Sequence, residues 1–286
     1  MRILFSLLFL FSIGAHGQST RFFISAHQDD WQLFMNPNVY NSIKNPQDKT
    51  VIIHTTAGDA GEGKGKRSYY KAREEGSLRA LRFLANTFES GVGFGTEMNE
   101  EMVQINGHKM QRMSYRNCVV YLLRLPDGNG QGTGYPLHRE KSLKKLYEGT
   151  VKNLHSIDST AVYKDKKDLI MSLKALIQKE QHGIKTELHL ADTDPENNPN
   201  DHSDHQTSSK LFQEVAQEIG KMRLFLYVNY FSSEKPKNIS EDEFLMCAAT
   251  WGVTTSALGD LEHYSTWDKV HNAWIGRQYF RTLDLN

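Results

Sequence analysis

The sequence predicts an α/β fold: a mostly parallel sheet with helices on both faces. Two observations predict it. Five short runs are rich in Val, Ile, Phe, Tyr and Leu, as strands are. Amphipathic segments with helical spacing stand between them, and that alternation argues parallel strands joined by helical crossovers.

The elements follow in chain order. The N-terminus reads as a secretory leader. Arg2 is its positive end, 3-ILFSLLFLFSI-13 its apolar stretch and 15-AHG-17 its cleavage site, so residues 1–17 are a signal peptide. The apolar stretch is too short to span a bilayer, which takes about 20 residues. No later stretch spans either, and the mature chain is expected to be exported, to the periplasm or beyond. The strands are 20-TRFFISA-26, 50-TVIIHTT-56, 118-CVVYLLRL-125, 184-IKTELHL-190 and 223-RLFLYVNY-230. Helices are predicted over 68–88, 139–157, 166–180 and 204–220. In the first, Tyr70, Ala72, Leu78, Leu81 and Leu84 recur at roughly helical spacing. In the last, Leu211, Phe212, Val215 and Ile219 share a face and Gly220 ends it. The segment 236-PKNISEDEF-244 leads from a loop into a helix, and 264-YSTWDKVHNAWIGRQYF-280 reads as an aromatic-rich helix. No linker or repeat interrupts residues 18–286, which are assigned to one domain.

Composition narrows the function. The chain has 286 residues, 38% hydrophobic and 24% charged, as ordinary soluble proteins have. Loss of Arg2 with the leader leaves 33 basic against 34 acidic side chains. No basic block is present to neutralise phosphates, so nucleic acid is not an expected partner. Two cysteines, Cys118 and Cys247, leave a bridge and free thiols both open. Oligomeric state is not readable.

In open parallel sheets ligands bind beyond the carboxyl ends of the strands. Two polar clusters fall there. The first is 25-SAHQDDW-31, after the first strand, and the second is 201-DHSDH-205, after 184–190. The adjacent carboxylates Asp29 and Asp30 repel each other, and burying either without a partner is costly. His202 and His205 have the i, i+3 spacing that puts two side chains on one helix face, and His27 and Asp30 repeat it. Two histidine/carboxylate pairs meeting on one rim suit a divalent metal, and imidazole with carboxylate suits zinc. The long polar loops 126-PDGNGQGTGYP-136 and 192-DTDPENNPNDHSD-204 would lie on the same rim.

Taken together, 26-AHQDD-30, 55-TTAGDAG-61, 73-REE-75 and 202-HSDH-205 resemble the PIG-L/LmbE-like zinc-dependent deacetylases, over about residues 20–230. The resemblance implies a Rossmann-like (LmbE-like) fold and removal of the N-acetyl group from a sugar or glycoconjugate containing N-acetylglucosamine. It implies one Zn2+ per chain, another divalent metal being possible, held by His27, Asp30 and His205. Asp29 would be the general base, and His202 the electrophilic or acid group with Asp204 as its orienting partner. Arg73 and Asp127 would contact the sugar. Gln28 and Ser203 stand where the family has prolines, and Trp31 where glutamate is frequent, which makes Trp31 a candidate sugar-stacking wall.

Competing readings exist for several stretches. The loop 58-GDAGEGKG-65 nearly spells a phosphate-binding loop, but Gly65 stands where Ser or Thr should be, and a flexible rim loop is the preferred reading. The triplet 27-HQD-29 with a distant histidine also spells an iron site with Asp29 as ligand, in a fold class that the alternating pattern does not suit. A carbohydrate-binding relative without activity is the other alternative, although every residue the chemistry needs is present. Trp251, Trp267 and Trp274 are assigned to the core rather than to a carbohydrate platform. The remaining histidines, among them His54, His138, His189, His263 and His271, are read as surface or satisfied core.

Overall fold

The computed structural model describes residues 18–64, 68–87 and 97–286; the leader lies outside them. In chain order the strands are β1 (Ser19–Ser25), β2 (Lys49–Thr56), β3 (Asn99–Ile105), β4 (His108–Tyr115), β5 (Cys118–Leu125), β6 (Leu154–His155), β7 (Val162–Tyr163), β8 (Lys185–Ala191), β9 (Met222–Tyr227) and β10 (Phe280–Leu285). The helices are α1 (Asp30–Leu33), α2 (Asn38–Lys44), α3 (Tyr69–Thr87), α4 (Leu143–Tyr147), α5 (Lys166–Glu180), α6 (Ser203–Ile219), α7 (Glu241–Asp260) and α8 (Lys269–Asn272).

Eight strands form one sheet in the order β10-β9-β8-β1-β2-β5-β4-β3. The five central strands, β9, β8, β1, β2 and β5, are parallel. The flanking strands β10, β4 and β3 run antiparallel to their neighbours. The central strands read as continuous apolar runs because both faces are covered. Successive side chains alternate between two cores. Phe22, Ile24, Val51 and Ile53 pack with α5 and α6, through residues such as Leu173 and Phe212. Phe23 and Ile52 pack on the other face with Val39 of α2 and Leu81 and Leu84 of α3. A third cluster joins Leu33 and Phe34 to Cys247 and Trp251 of α7 and to Ile275. Helix α7 lies close on α3, where a Cβ on Gly76 would come within 3.0 Å of Thr254.

Several segments differ from the sequence reading, each for a local reason. Residues 139–157 are not one helix. Ser142 caps α4, Gly149 takes φ +73° after it, and β6 pairs with β7 in a small hairpin. Residues 264–280 hold only the single turn α8, which Asp268 caps, and Phe280 opens β10. Gly276, at φ +86°, ends any helical continuation. Strand β9 stops at Tyr227, and residues 230–234 form a 3-10 turn. The hairpin β3–β4 was not foreseen, although Asn106 and Gly107, both with positive φ, make the two-residue turn that favours this pair. Cys118 and Cys247 are both free and buried. Among the described residues no helix is long and apolar enough to cross a membrane.

The amino-terminal edge of the sheet is pinned by a buried carboxylate. Glu180, the last residue of α5, accepts from Arg112 Nε at 2.9 Å, Tyr121 Oη at 2.5 Å and Lys49 Nζ at 2.6 Å. Burial alone would raise its pKa, but these donors pull it from 4.5 down to about 2. A carboxylate with a depressed folded pKa stabilises the fold fully above its unfolded pKa and ceases to as the pH falls through the folded one. Glu180→Gln should therefore cost about 2 kcal/mol at pH 7, at the low side of a broken buried pair because Arg112 and Lys49 reach solvent. Urea melts should show the difference from the native protein shrinking between pH 4.5 and about 2. A difference that does not change with pH would remove the ion pairs as its cause.

Candidate metal centre

Strand order reverses at β1: β2 and β5 follow on one side, β8 and β9 on the other. The crevice beyond the strand ends at such a point is where this class of sheet binds ligands. Here every parallel strand delivers polar groups to it. β1 ends in His27–Asp30, β2 in Gly58 and Asp59, β5 in Asp127, β8 in the loop to His202–His205, and β9 in Asn229 and Tyr230.

Three donor atoms converge. His205 Nε2 lies 3.1 Å from Asp30 Oδ1 and 3.2 Å from His27 Nδ1, and His27 Nδ1 lies 3.8 Å from Asp30 Oδ1. Ligands about 2.0–2.1 Å from a tetrahedral ion stand roughly 3.3 Å apart, so this spacing fits a single divalent ion. The far nitrogens fix the tautomers. His205 Nδ1 is 2.8 Å from Asp201 Oδ1, and His27 Nε2 is 3.4 Å from Asp204 Oδ2. An ionised carboxylate only accepts, so the imidazole beside one places a proton there, and loss of the other ring proton to an incoming cation would leave a lone pair at the convergence point.

The electrostatics point the same way. Burial would lower the pKa of His205, yet Asp30 and Asp201 hold it well above the ordinary value. Burial would raise that of Asp30, yet His205 and His27 hold it below. The cluster thus favours a positive charge among its carboxylates. His27, Asp30 and His205 are all buried, at 6%, 3% and 3% exposure.

Asp29 offers a carboxylate oxygen within 4.8 Å of donor atoms of His27 and Asp30, and it is paired with Arg73. Arg73 Nη2 donates to Asp29 Oδ1, and Arg73 Nη1 donates to the Gly58 carbonyl at 2.8 Å. Gly58 has φ +53°, and a Cβ there would come within 2.5 Å of Arg73 Nη1, so only glycine seats this guanidinium. Asp30 Oδ1 is the carboxylate oxygen 3.1 Å from His205 Nε2 and 3.8 Å from His27 Nδ1, whereas the iron reading takes Asp29 as ligand. Arg73 lines the cavity, but two of its nitrogens are committed to Asp29 and Gly58.

His202 is the N-cap of α6. Its Nδ1 accepts the Asp204 N–H at 3.1 Å, which leaves Nε2 to carry the proton. Burial is the largest cause that pushes its pKa down, so it is a neutral donor. The Asp204 carboxylate approaches His202 Nδ1 only to 4.0 Å; its contacts are His27 and the Gly128 N–H, the latter at 2.9 Å. The expected link between Asp204 and His202 therefore runs through the backbone, and the carboxylate orients His27. Asp127 lines the cavity with its carboxylate tied to the Ala60 and Asn129 amides at 3.1 and 2.8 Å.

The cavity holds about 180 Å³. Its lining includes polar residues, Asp29, Arg73, Asp127 and His202, and aromatic ones, Phe34, Tyr69, Tyr230 and Trp274, with Arg73 over the Tyr69 ring at 5.6 Å. Tyr230 and Trp274 stack at 5.0 Å and 11°. The sequence reading missed Asp201, although it stands four residues before His205, and it missed Tyr230, which has no motif around it. Trp251 is core and Trp274 packs, partly buried, against the same cluster while also lining the cavity; Trp267 is 50% exposed, which corrects its assignment to the core. Trp31 is not a sugar wall: it is fully buried, and its indole N–H donates to Ser77 Oγ at 2.9 Å. The 58–64 loop carries internal and cross-loop bonds. Asp59, with no exposure, accepts from the Gly63 N–H at 2.8 Å and meets His138 Nε2 at 2.7 Å.

No protein-family model matches the chain, and no curated protein sequence matches it. Among solved structures, N,N'-diacetylchitobiose deacetylase from Pyrococcus horikoshii aligns with 94% of this chain and 84% of its own, at 13% identity and a TM-score of 0.50. The 4-carboxy-2-hydroxymuconate hydratase GalB from Pseudomonas putida KT2440 aligns with 90% of this chain and 82% of its own, at 11% identity and a TM-score of 0.46. The zinc-inhibited form of teicoplanin deacetylase Orf2 covers 84% of each chain, at 10% identity and a TM-score of 0.44. At such identities the likeness to the first of these is one of fold.

The donor geometry makes a direct prediction. His205→Ala should abolish bound divalent metal, read by elemental analysis of the purified protein. Asp201→Asn should keep the ligands but weaken metal affinity by about 10–100-fold in a chelator competition, as loss of a ligand's hydrogen-bond partner does. Equal affinity in Asp201→Asn would remove that carboxylate from the metal's support.

Proposed function

We propose that the protein is an exported, divalent-metal-dependent hydrolase that removes the N-acetyl group from an amino sugar or glycoconjugate. The observation that carries this reading is the pairing of a closed ligand set with a separate carboxylate. His27 Nδ1, Asp30 Oδ1 and His205 Nε2 converge, while Asp29, next in sequence to a ligand, is turned to Arg73 at the cavity. Zinc is the metal that this nitrogen/oxygen set suits. Such an ion, when bound, polarises an amide carbonyl and makes water acidic enough to lose a proton near neutral pH.

The chain's own groups supply the rest. Asp29 takes the proton of the attacking water, and Arg73 holds it in the orientation for doing so. His202 donates its Nε2–H to the oxygen that becomes negative as the amide is attacked, because its Nδ1 is already occupied by the Asp204 N–H. Asp29 then returns its proton to the departing amine. Asp127 and the remaining donors of Arg73 face the cavity where sugar hydroxyls would lie. The aromatic side receives the apolar face of the ring. A deacetylase of an N-acetylated sugar among the structures of this fold supports the substrate class, and the leader at 1–17 supports export.

Acetate release from a panel of N-acetylated sugars tests the reading. Asp29→Asn should retain the metal and lose about 10²–10⁴ in kcat, the usual worth of a positioned base. His202→Ala should also retain the metal and turn over about 10²–10³ more slowly, as loss of an oxyanion donor does. An unchanged rate in Asp29→Asn would end the general-base assignment.

A further inference from the structure

Gln28 sits between the ligand His27 and the carboxylate Asp29, is 1% exposed, and is not among the residues that line the cavity. Its amide nitrogen donates to two successive carbonyls at the end of β2, Thr56 at 3.3 Å and Ala57 at 3.0 Å. Only the NH2 end can meet two carbonyls, so these partners fix which way the amide faces. The loop after β1 is thereby strapped to the loop after β2. The next carbonyl along, that of Gly58, accepts Arg73 Nη1 at 2.8 Å, and Arg73 Nη2 donates to Asp29. With the peptide links 57–58 and 28–29, these contacts close a ring that runs from Gln28 through Gly58 and Arg73 to Asp29 and back.

The ring is tightly packed. A Cβ on Gly58 would stand 2.5 Å from Arg73 Nη1 and 2.9 Å from Gln28 Oε1, so guanidinium and amide close on the same glycine. Gln28 Oε1 is itself buried without a hydrogen-bond partner among the described residues. An unpaired buried acceptor is unfavourable, and an apolar side chain of the same length would avoid it. Packing alone therefore does not call for glutamine here, whereas donation to Thr56 and Ala57 does. The turn is also held from behind. Gln32 Nε2 donates to the Gln28 carbonyl at 3.2 Å, and Gln32 Oε1 accepts from Thr254 Oγ1 of α7 at 2.6 Å.

We propose that Gln28 is a positioning residue for Asp29: its donors fix the chain at Ala57–Gly58, the Gly58 carbonyl sets Arg73, and Arg73 sets the Asp29 carboxylate. This rests on the reading under Proposed function, in which Asp29 is the base, and adds to it a residue outside the cavity. The proline that the resembled family has at this place stiffens a turn through its ring and donates nothing. In this chain the restraint is a pair of hydrogen bonds that reaches the base by way of its arginine.

The test is acetate release by the metal-loaded protein carrying Gln28→Met, which keeps the length of the side chain and removes the donors, alone and together with Arg73→Lys. Gln28→Met should retain its metal by elemental analysis, leave KM within about twofold and lower kcat by about 10–100-fold, the order of loss that a misplacement of about 1 Å brings. In the Arg73→Lys background the same substitution should cost less than about twofold, because the path from Gln28 to Asp29 is already broken there. Gln28→Asn, shorter by a methylene, carries the same expectations where Gln28→Met does not fold. An unchanged kcat, equal costs in the two backgrounds, or loss of the metal would overturn the positioning role. If the native protein releases no acetate from any sugar of the panel, the hydrolase reading fails, and a crystal structure of Gln28→Met decides the positioning alone. Arg73 parted from the Gly58 carbonyl and from Asp29 would uphold it, and both contacts intact would overturn it.

Discussion

The structure is organised around buried negative charge that needs a counter-charge. Asp29, Asp30, Asp127, Asp201 and Asp204 all crowd the carboxyl ends of the parallel strands, and none of the five is exposed. An uncompensated carboxylate in such a place is costly. Each has therefore been given a different answer. Asp29 has Arg73, Asp127 has two loop amides, Asp201 has His205, and Asp204 has His27 and the Gly128 amide within the first turn of α6. The helix N-terminus adds a favourable field for Asp204. Asp30 faces two imidazoles, His27 and His205, and a cation at their meeting point would complete the compensation.

The topology is what makes this concentration possible. With β1 central and the chain departing to opposite sides, the loops after β1 and β8 diverge from a shared crevice. No single loop has to carry more than two or three of the acidic groups, and each is fixed by a strand at its base. The ties between loops then run across the crevice: Asp59 to His138, Asp127 to Ala60, Gly128 to Asp204. These bonds tie the loops around the crevice to one another.

The polar half of the site was legible because its residues are clustered in the sequence. The same holds for the central strands and for α3, α5 and α6, whose apolar periodicities are set by burial on known faces. Even the separation of roles between Asp29 and Asp30 has a local cause. Successive residues entering a helix turn by about 100°, so two adjacent carboxylates at the start of α1 cannot point the same way. What was not legible depends on contacts between distant residues. The spacing of aromatics in 264–280 imitates a helix, yet those side chains are apolar because the segment closes a cavity and packs on α7. Trp31 has the sequence position of a site residue, but the turn of α1 and the bond to Ser77 place it in the core.

The aromatic half consists of Phe34, Tyr69, Tyr230 and Trp274, drawn from four separate segments. That wall has an electrostatic consequence for the other half. Apolar rings packed against His205, with Phe34 at 6.0 Å and Tyr230 at 5.3 Å, keep water from the side of the ligand set that the carboxylates do not cover. Interactions among the charges are stronger in such surroundings than in water. The candidate donor atoms thus come from two short motifs, while the aromatic residues of the cavity come from four segments, of which only the one carrying Trp274 lies near the end of the chain.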